Sequence, residues 1–363
     1  MRVSFVRRGA AALGPVLVVA LAAVLAGGCQ MRSAGTGAGV GTGVTVTTIA
    51  VVTPEKANDF GWNQQAVECA QAAARAAGAE CIVEDGAGYG DITPILHQVA
   101  AAGPQLVFPW ASGYNTVASQ VAQQLDLPMT VCDAGGDAAN VPGLVNDVET
   151  DSQNGAYLAG VLAARMTRTG TVAIVVSAED LNWSKMAGGF IAGARATTPA
   201  IAILYVQIGQ AAYADAAGGK RVTVSAIAGG ADIVFGMGDG ASFGMLQACE
   251  TATPPAGADK VWFIDVIGDK SPVDTKGVYL SSVVWDFTPI MSTAIAQVED
   301  GTFGMGTYWL DLQNGLSLLK TRHIPGDVWD DVTTARAAIV DGAITVPVLT
   351  SSKAVKAVLA GGT

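Results

Sequence analysis

From Val44 onward, short apolar runs alternate with amphipathic or Ala-rich segments, and this alternation limits the possible folds more than anything else in the chain. Val44 to Val52 reads as a strand, and Ala66 to Ala77, rich in small and apolar residues, as a helix packed on a sheet. A strand at Glu80 to Glu84 is followed by a helix at Asp91 to Ala102, with Ile92, Ile95, Leu96 and Val99 on one face and Gly103 as its stop. Then come a strand at Gln105 to Trp110, a helix at Thr116 to Leu125 and a strand at Met129 to Cys132. Strand and helix repeated at a period of about thirty residues predict a parallel sheet with right-handed crossovers.

The pattern then restarts. A helix at Ser152 to Met166 leads to strands at Thr171 to Ser177, Ile201 to Val206, Asp232 to Gly236, Val261 to Asp265 and Gly277 to Val284. Helices at Met186 to Ala196, about Ala214 to Ala228, and Ser242 to Cys249 fall between them. Two similar α/β lobes joined by extended segments describe a hinged cleft.

Ahead of this region, Arg2, Arg7 and Arg8 precede an uncharged stretch from Gly9 to Gly28, the pattern of an export signal. Leu25-Ala26-Gly27-Gly28-Cys29 resembles a bacterial lipobox, with residues 1–28 as the signal and Cys29 as the lipid attachment site. A plain secretory signal or a single membrane span is the alternative. Residues 29–43, with Gly at every second position from Gly35 to Gly43, read as a flexible tether. The net charge of −11 becomes more negative once the leader's Arg residues are removed, which argues against nucleic acid or anionic lipid as a partner. Cys69 and Cys81 either pair in an oxidising compartment or remain buried free thiols, as do Cys132 and Cys249. No Cys or His spacing predicts a metal site, and neither a full dinucleotide fingerprint nor a Walker A sequence is present, so no cofactor is expected.

The candidate site gathers around Asn58 to Gln64, a strand-to-helix loop carrying Asp59, Trp62 and Asn63. In open α/β sheets such loops lie at the carboxyl ends of strands, where ligands bind. Trp110, Asp133, Trp183, Met237, Asp239, Asp265 and Trp285 also fall at or just past predicted strand ends, so one cleft collects them. A single aromatic there is more often core; several together favour a ligand platform. An enzyme reading competes: Gly240-Ala241-Ser242-Phe243-Gly244 fits a nucleophile elbow, with Asp265 and His323 following in hydrolase order. The other reading has these glycines bring a helix N-terminus close to a ligand, and it predicts a protein that is not an enzyme.

Asp59-Phe60-Gly61-Trp62-Asn63, Tyr157 to Ala163, Gly189 to Ala194, Gly230 to Phe235, Ser281 to Val284 and Asp300 to Phe303 follow one another along the chain. In that order they resemble the motifs of the basic membrane protein family, the substrate-binding lipoproteins of ABC importers that include purine nucleoside receptors. The resemblance implies a type I periplasmic-binding-protein-like fold, two parallel-sheet α/β lobes joined by a three-strand hinge. Lobe one would comprise 44–148 plus 284–309, and lobe two 149–283 plus 310–350. It implies that Trp62 and Asn63 stack on and hydrogen-bond a base, that Asp133 contacts the base and Asp265 a ribose, and that Trp183 supplies a second stacking face. Implied partners are a small ligand, most readily a purine nucleoside, and ABC permease subunits, with the protein lipid-anchored on the extracytoplasmic face. A ligand-presenting sensor is the alternative role. Where nucleoside binders place a Lys after the Ser-Val-Val run, this chain has Trp285 and then Asp286, a change that favours another heterocycle or a sugar-like ligand.

Overall fold

Strands buried on both faces read as unbroken apolar runs, because helices cover both sides of a parallel sheet. That is how Ile49 to Thr53 and Val172 to Val176 are placed in the computed structural model, which describes residues 44–361. The leader, Cys29 and the tether at 29–43 lie outside the described residues.

In chain order the first half contains β1 (Thr48–Thr53), α1 (Trp62–Ala77), β2 (Glu80–Asp85), α2 (Thr93–Ala101), β3 (Leu106–Pro109), α3 (Asn115–Leu125), β4 (Met129–Cys132) and β5 (Val145–Thr150). It continues with α4 (Ser152–Met166), β6 (Thr171–Val176), α5 (Leu181–Thr197), β7 (Ala202–Gln207), α6 (Ala216–Ala228), β8 (Ile233–Met237), α7 (Ala241–Thr251), β9 (Trp262–Ile267) and β10 (Tyr279–Trp285). Last come α8 (Thr288–Asp300), β11 (Tyr308–Leu310), β12 (Leu316–Leu318), α9 (Gly326–Val340) and α10 (Ser352–Leu359).

The strands form two six-stranded sheets, ordered β11-β5-β4-β3-β1-β2 and β12-β10-β9-β8-β6-β7. Every pairing is parallel except β10 with β12. The chain therefore passes from one sheet to the other three times: after β5, after β10, and between β11 and β12. This is the expected architecture of two parallel α/β lobes. In both sheets the strand at one edge, β2 or β7, is only partly buried, while β1 and β6 beside them are enclosed.

Two helices begin earlier than their apolar runs predict. α1 starts at Trp62, because both Asp59 carboxylate oxygens accept from the first turn: Oδ1 from the N–H groups of Gly61 and Gln64 at 3.0 Å, Oδ2 from that of Asn63 at 3.2 Å. α5 starts at Leu181 for a similar reason, with Asp180 as its N-cap accepting from the N–H groups of Asn182 and Trp183. Trp62 and Trp183 thus lie in the first turns of helices rather than on loops.

α4 and α5 pack so closely that a Cβ at Gly160 would meet the carbonyl of Phe190, and one at Gly189 the carbonyl of Gln153. The Tyr157 to Ala163 and Gly189 to Ala194 segments owe their glycines to this contact. Cys69 and Cys81 are free thiols, as are Cys132 and Cys249. Burial pushes the thiol pKa values of Cys69 and Cys81 up to about 11.

Candidate functional site

A cavity of about 230 Å³ lies between the carboxyl ends of the two sheets. Pro54, Ala111 and Asp133 reach it from the ends of β1, β3 and β4. Asp180, Tyr213, Asp239, Ile267 and Trp285 reach it from the ends of β6 to β10. Parallel topology makes this possible, since it brings the carboxyl ends of all the parallel strands of a lobe to the same edge.

Trp62 forms one wall. Its indole N–H donates to the carbonyl oxygen of Trp110 at 2.8 Å, and its ring stacks on that of Trp110 at 5.8 Å and 25°. Trp285 and Phe287 meet it edge to face at 6.2 and 5.7 Å. Trp183 also lines the cavity, its indole N–H donating to Ser177 Oγ at 3.0 Å. With each N–H bonded, both rings are held in a fixed rotation.

Polar groups tie the two lobes together. Asn182 Nδ2 donates to Asp133 Oδ1 and Oδ2 at 3.2 and 3.1 Å, and Asn182 Oδ1 accepts from the hydroxyl of Thr150 at 2.8 Å. The N–H of Trp62 donates to Asp239 Oδ1 at 3.3 Å, and Lys270 Nζ donates to the carbonyl of Phe60 at 2.9 Å. Tyr89 and Tyr213 stack across the cleft at 6.2 Å and 21°, the Tyr213 hydroxyl donating to Asp180 Oδ2 at 3.0 Å.

Burial pushes the Asp133 carboxyl up to about 7; the Asp180 charge adds to the rise, and Lys185 and the Asn182 amide oppose it. Burial likewise raises Asp180, against the backbone N–H of Trp183. Asp239 is held well above the usual carboxylate range by burial and then by the Asp59 charge, with Lys270 opposing. Backbone strain sits at the same place: Asp133 has φ +54° and the β-branched Ile267 φ +70°.

Of the residues named from sequence, Trp62, Asp133, Trp183, Asp239 and Trp285 line the cavity. Asp59, Asn63, Trp110, Met237 and Asp265 do not. Asp59 is occupied in capping α1, and Asn63 is fully buried, its Nδ2 donating to Asp59 at 2.8 Å and its Oδ1 accepting from the N–H of Glu55 at 3.1 Å. Trp110 stands behind Trp62, and Met237 is core. Asp265 pairs with Lys270 at 2.9 Å and accepts from Ser242 Oγ at 2.9 Å. That bond uses the hydroxyl of the elbow-like motif, while the His323 ring rests on Trp262 at 5.1 Å. Sequence reasoning passed over Asp180, Asn182, Tyr89 and Tyr213. The first two carried a readable signal, an Asp followed by a helix start.

The family model for ABC transporter substrate-binding protein PnrA-like, Bmp, matches residues 46–333. The chain belongs to the Bmp family. Members of the Bmp family are substrate-binding proteins of ABC transporters and not enzymes. Among curated relatives, the ABC transporter nucleoside-binding protein BmpA of Lactococcus lactis subsp. cremoris (strain MG1363) is 28% identical over 202 residues, which is 53% of this chain and 57% of the relative. A CD4+ T-cell-stimulating antigen of Listeria monocytogenes serovar 1/2a is 27% identical over 206 residues, with the same two coverages. The matches thus span little more than half the length of these relatives. An ABC transporter system solute-binding protein from Conexibacter woesei DSM 14684 shares the fold, with a TM-score of 0.69 at 21% identity over 83% of this chain and 99% of that one. One from Aeropyrum pernix K1 does so with a TM-score of 0.71 at 17% identity over 86% and 96%. Among the described residues no helix is long and apolar enough to cross a membrane.

Proposed function

We propose that this Bmp-family protein captures a small polar aromatic solute, a purine nucleoside first among the candidates, and passes it to the permease subunits of an ABC importer. Trp62 carries the reading: an indole pinned at its N–H lines a cavity shared with Trp183 and Trp285. Flat heteroaromatic rings stack on such faces for about 1–3 kcal/mol each. At about 230 Å³ the cavity is smaller than the ~300–1,000 Å³ of drug-sized sites, which suits a one- or two-ring solute. Asp133 and Asp239 offer acceptors to N–H or ribose O–H donors. The nucleoside-binding name of the Lactococcus relative supports the ligand class. The lipobox-like segment ending at Cys29 supports a lipid-anchored protein on the extracytoplasmic face.

A ligand shifts an open–closed equilibrium only through its differential affinity for the two states. Site groups drawn from both sheets supply that difference, since the open form cannot present them all to one ligand. Calorimetry with nucleosides, free bases and sugars tests the reading, with at least one nucleoside expected to bind below about 100 μM, near −5.5 kcal/mol. Binding by sugars alone would refute it. Trp62→Ala is expected to weaken binding roughly 10- to 100-fold while Trp62→Phe retains most of it. Equal affinity of all three proteins would remove the ring from the site.

A further inference from the structure

Three carboxyl groups line the cavity: Asp133 from the first sheet, Asp180 and Asp239 from the second. None of them joins an ion pair among the described residues. The two nearby ammonium groups are paired elsewhere, Lys270 with Asp265 at 2.9 Å and Lys185 with Glu149 at 3.5 Å. Asp180 is satisfied by the first turn of α5 and the Tyr213 hydroxyl. Asp133 receives only the Asn182 amide, and Asp239, 8% exposed, accepts at Oδ1 alone, from the N–H of Trp62.

Five of the other lining residues are aromatic, Trp62, Tyr89, Trp183, Tyr213 and Trp285, and none of the lining residues carries a positive charge. Trp285 is 1% exposed, and its Nε1 has no hydrogen-bond partner. Carboxylates and π-faces both attract positive charge. A neutral solute leaves these carboxyls as buried protonated acids, whereas a cation favours their ionised form and meets it as a counter-charge.

We propose that the ligand of this cavity is a cation: an N-alkylated or protonated nitrogen heterocycle, or an aromatic ammonium, its charge met by Asp133 and Asp239 and its flat body by the rings. The inference rests on the aromatic-solute reading and narrows it. It also accounts for closure, because shutting the cleft brings Asp133 towards Asp180, and Asp59 towards Asp239, and a cation turns that repulsion into attraction.

Matched pairs that differ only in charge provide the test: adenosine with 1-methyladenosine, and nicotinamide with 1-methylnicotinamide, by calorimetry at pH 7 on the wild-type protein. The charged member is expected to bind at least tenfold tighter in at least one pair. That preference should fall at least fivefold in Asp133→Asn and in Asp239→Asn. Neutral members that bind as tightly as their charged partners, or a preference unmoved in both variants, overturn the cation and leave the aromatic-solute reading standing. Binding by none of the four overturns the cation as well, and the panel of nucleosides, bases and sugars then decides the aromatic-solute reading by itself. The wild-type comparison holds even if a variant fails to fold.

Discussion

Asp133 closes β4 in a left-handed backbone conformation, and burial pushes its carboxyl up to about 7. Asp180 and Glu149 act in the same direction, while Lys185 and Asn182 oppose them. The unfolded carboxyl titrates near ~3.9. Between that value and about 7 the folded chain holds a proton that the unfolded chain has released, so the stability tied to it is complete below the unfolded pKa and lost as pH rises through the folded one. Asp133→Asn is therefore expected to gain in Tm relative to wild type from pH 5 to pH 8, as thermal melts of the ligand-free proteins would show. A gap that stays constant with pH would place the titration elsewhere. The sequence made Asp133 conspicuous, as it did Trp62, Trp183, Asp239 and Trp285, because each stands at or near a strand end beside a recognisable apolar run. Asp265 met the same criterion yet faces Lys270 and Ser242 instead, and nothing local in the sequence tells these two environments apart. Tyr89 and Tyr213 were hidden because the groups they meet, each other's rings and Asp180, are tens of residues away in the chain.

Helices α4 and α5 have contact faces so short of side chains that backbone meets backbone. A Cβ at Gly189 would press on the carbonyl of Gln153, and one at Gly193 on that of Tyr157. Gly189→Ala is expected to cost about 1–3 kcal/mol, as overpacking does, and chemical denaturation would measure it. A loss below a few tenths of a kcal/mol would mean that the helices slide apart freely. Most buried strands and long helices were legible from their apolar runs, with most boundaries displaced by only a residue or two, but β5, its run broken by Asn146, Asp147 and Glu149, and α9, only weakly apolar on one face, were not. Helix starts at Trp62 and Leu181 depend on carboxylate caps rather than hydrophobic period, so reading by period alone began both helices late. β11 and β12 are three residues long, each with a single exposed central residue, too brief for alternation to register.

At the scale of the molecule, closure depends on a glycine at the mouth of the cleft. A Cβ on Gly268, just past β9, would press on the carbonyl of Phe60 across the cleft, next to the bond from Lys270 to that same oxygen. Gly268→Ala is expected to hold the lobes apart, lowering affinity roughly tenfold or more for any ligand that needs both sides, since the closed state alone makes the full set of contacts. Small-angle scattering should show the wild type contracting when ligand is added and the variant contracting less. Full contraction with undiminished affinity would show that the contact yields. The three passages between sheets also bear on how the chain acquires its structure as it is made. β11, which covers β5, follows every strand of the second sheet except β12. A chain synthesised from its N-terminus therefore leaves β5 as a bare edge while about 160 residues are added, and domains that normally complete in order of synthesis cannot do so here. The first lobe is the first to begin folding and among the last to finish.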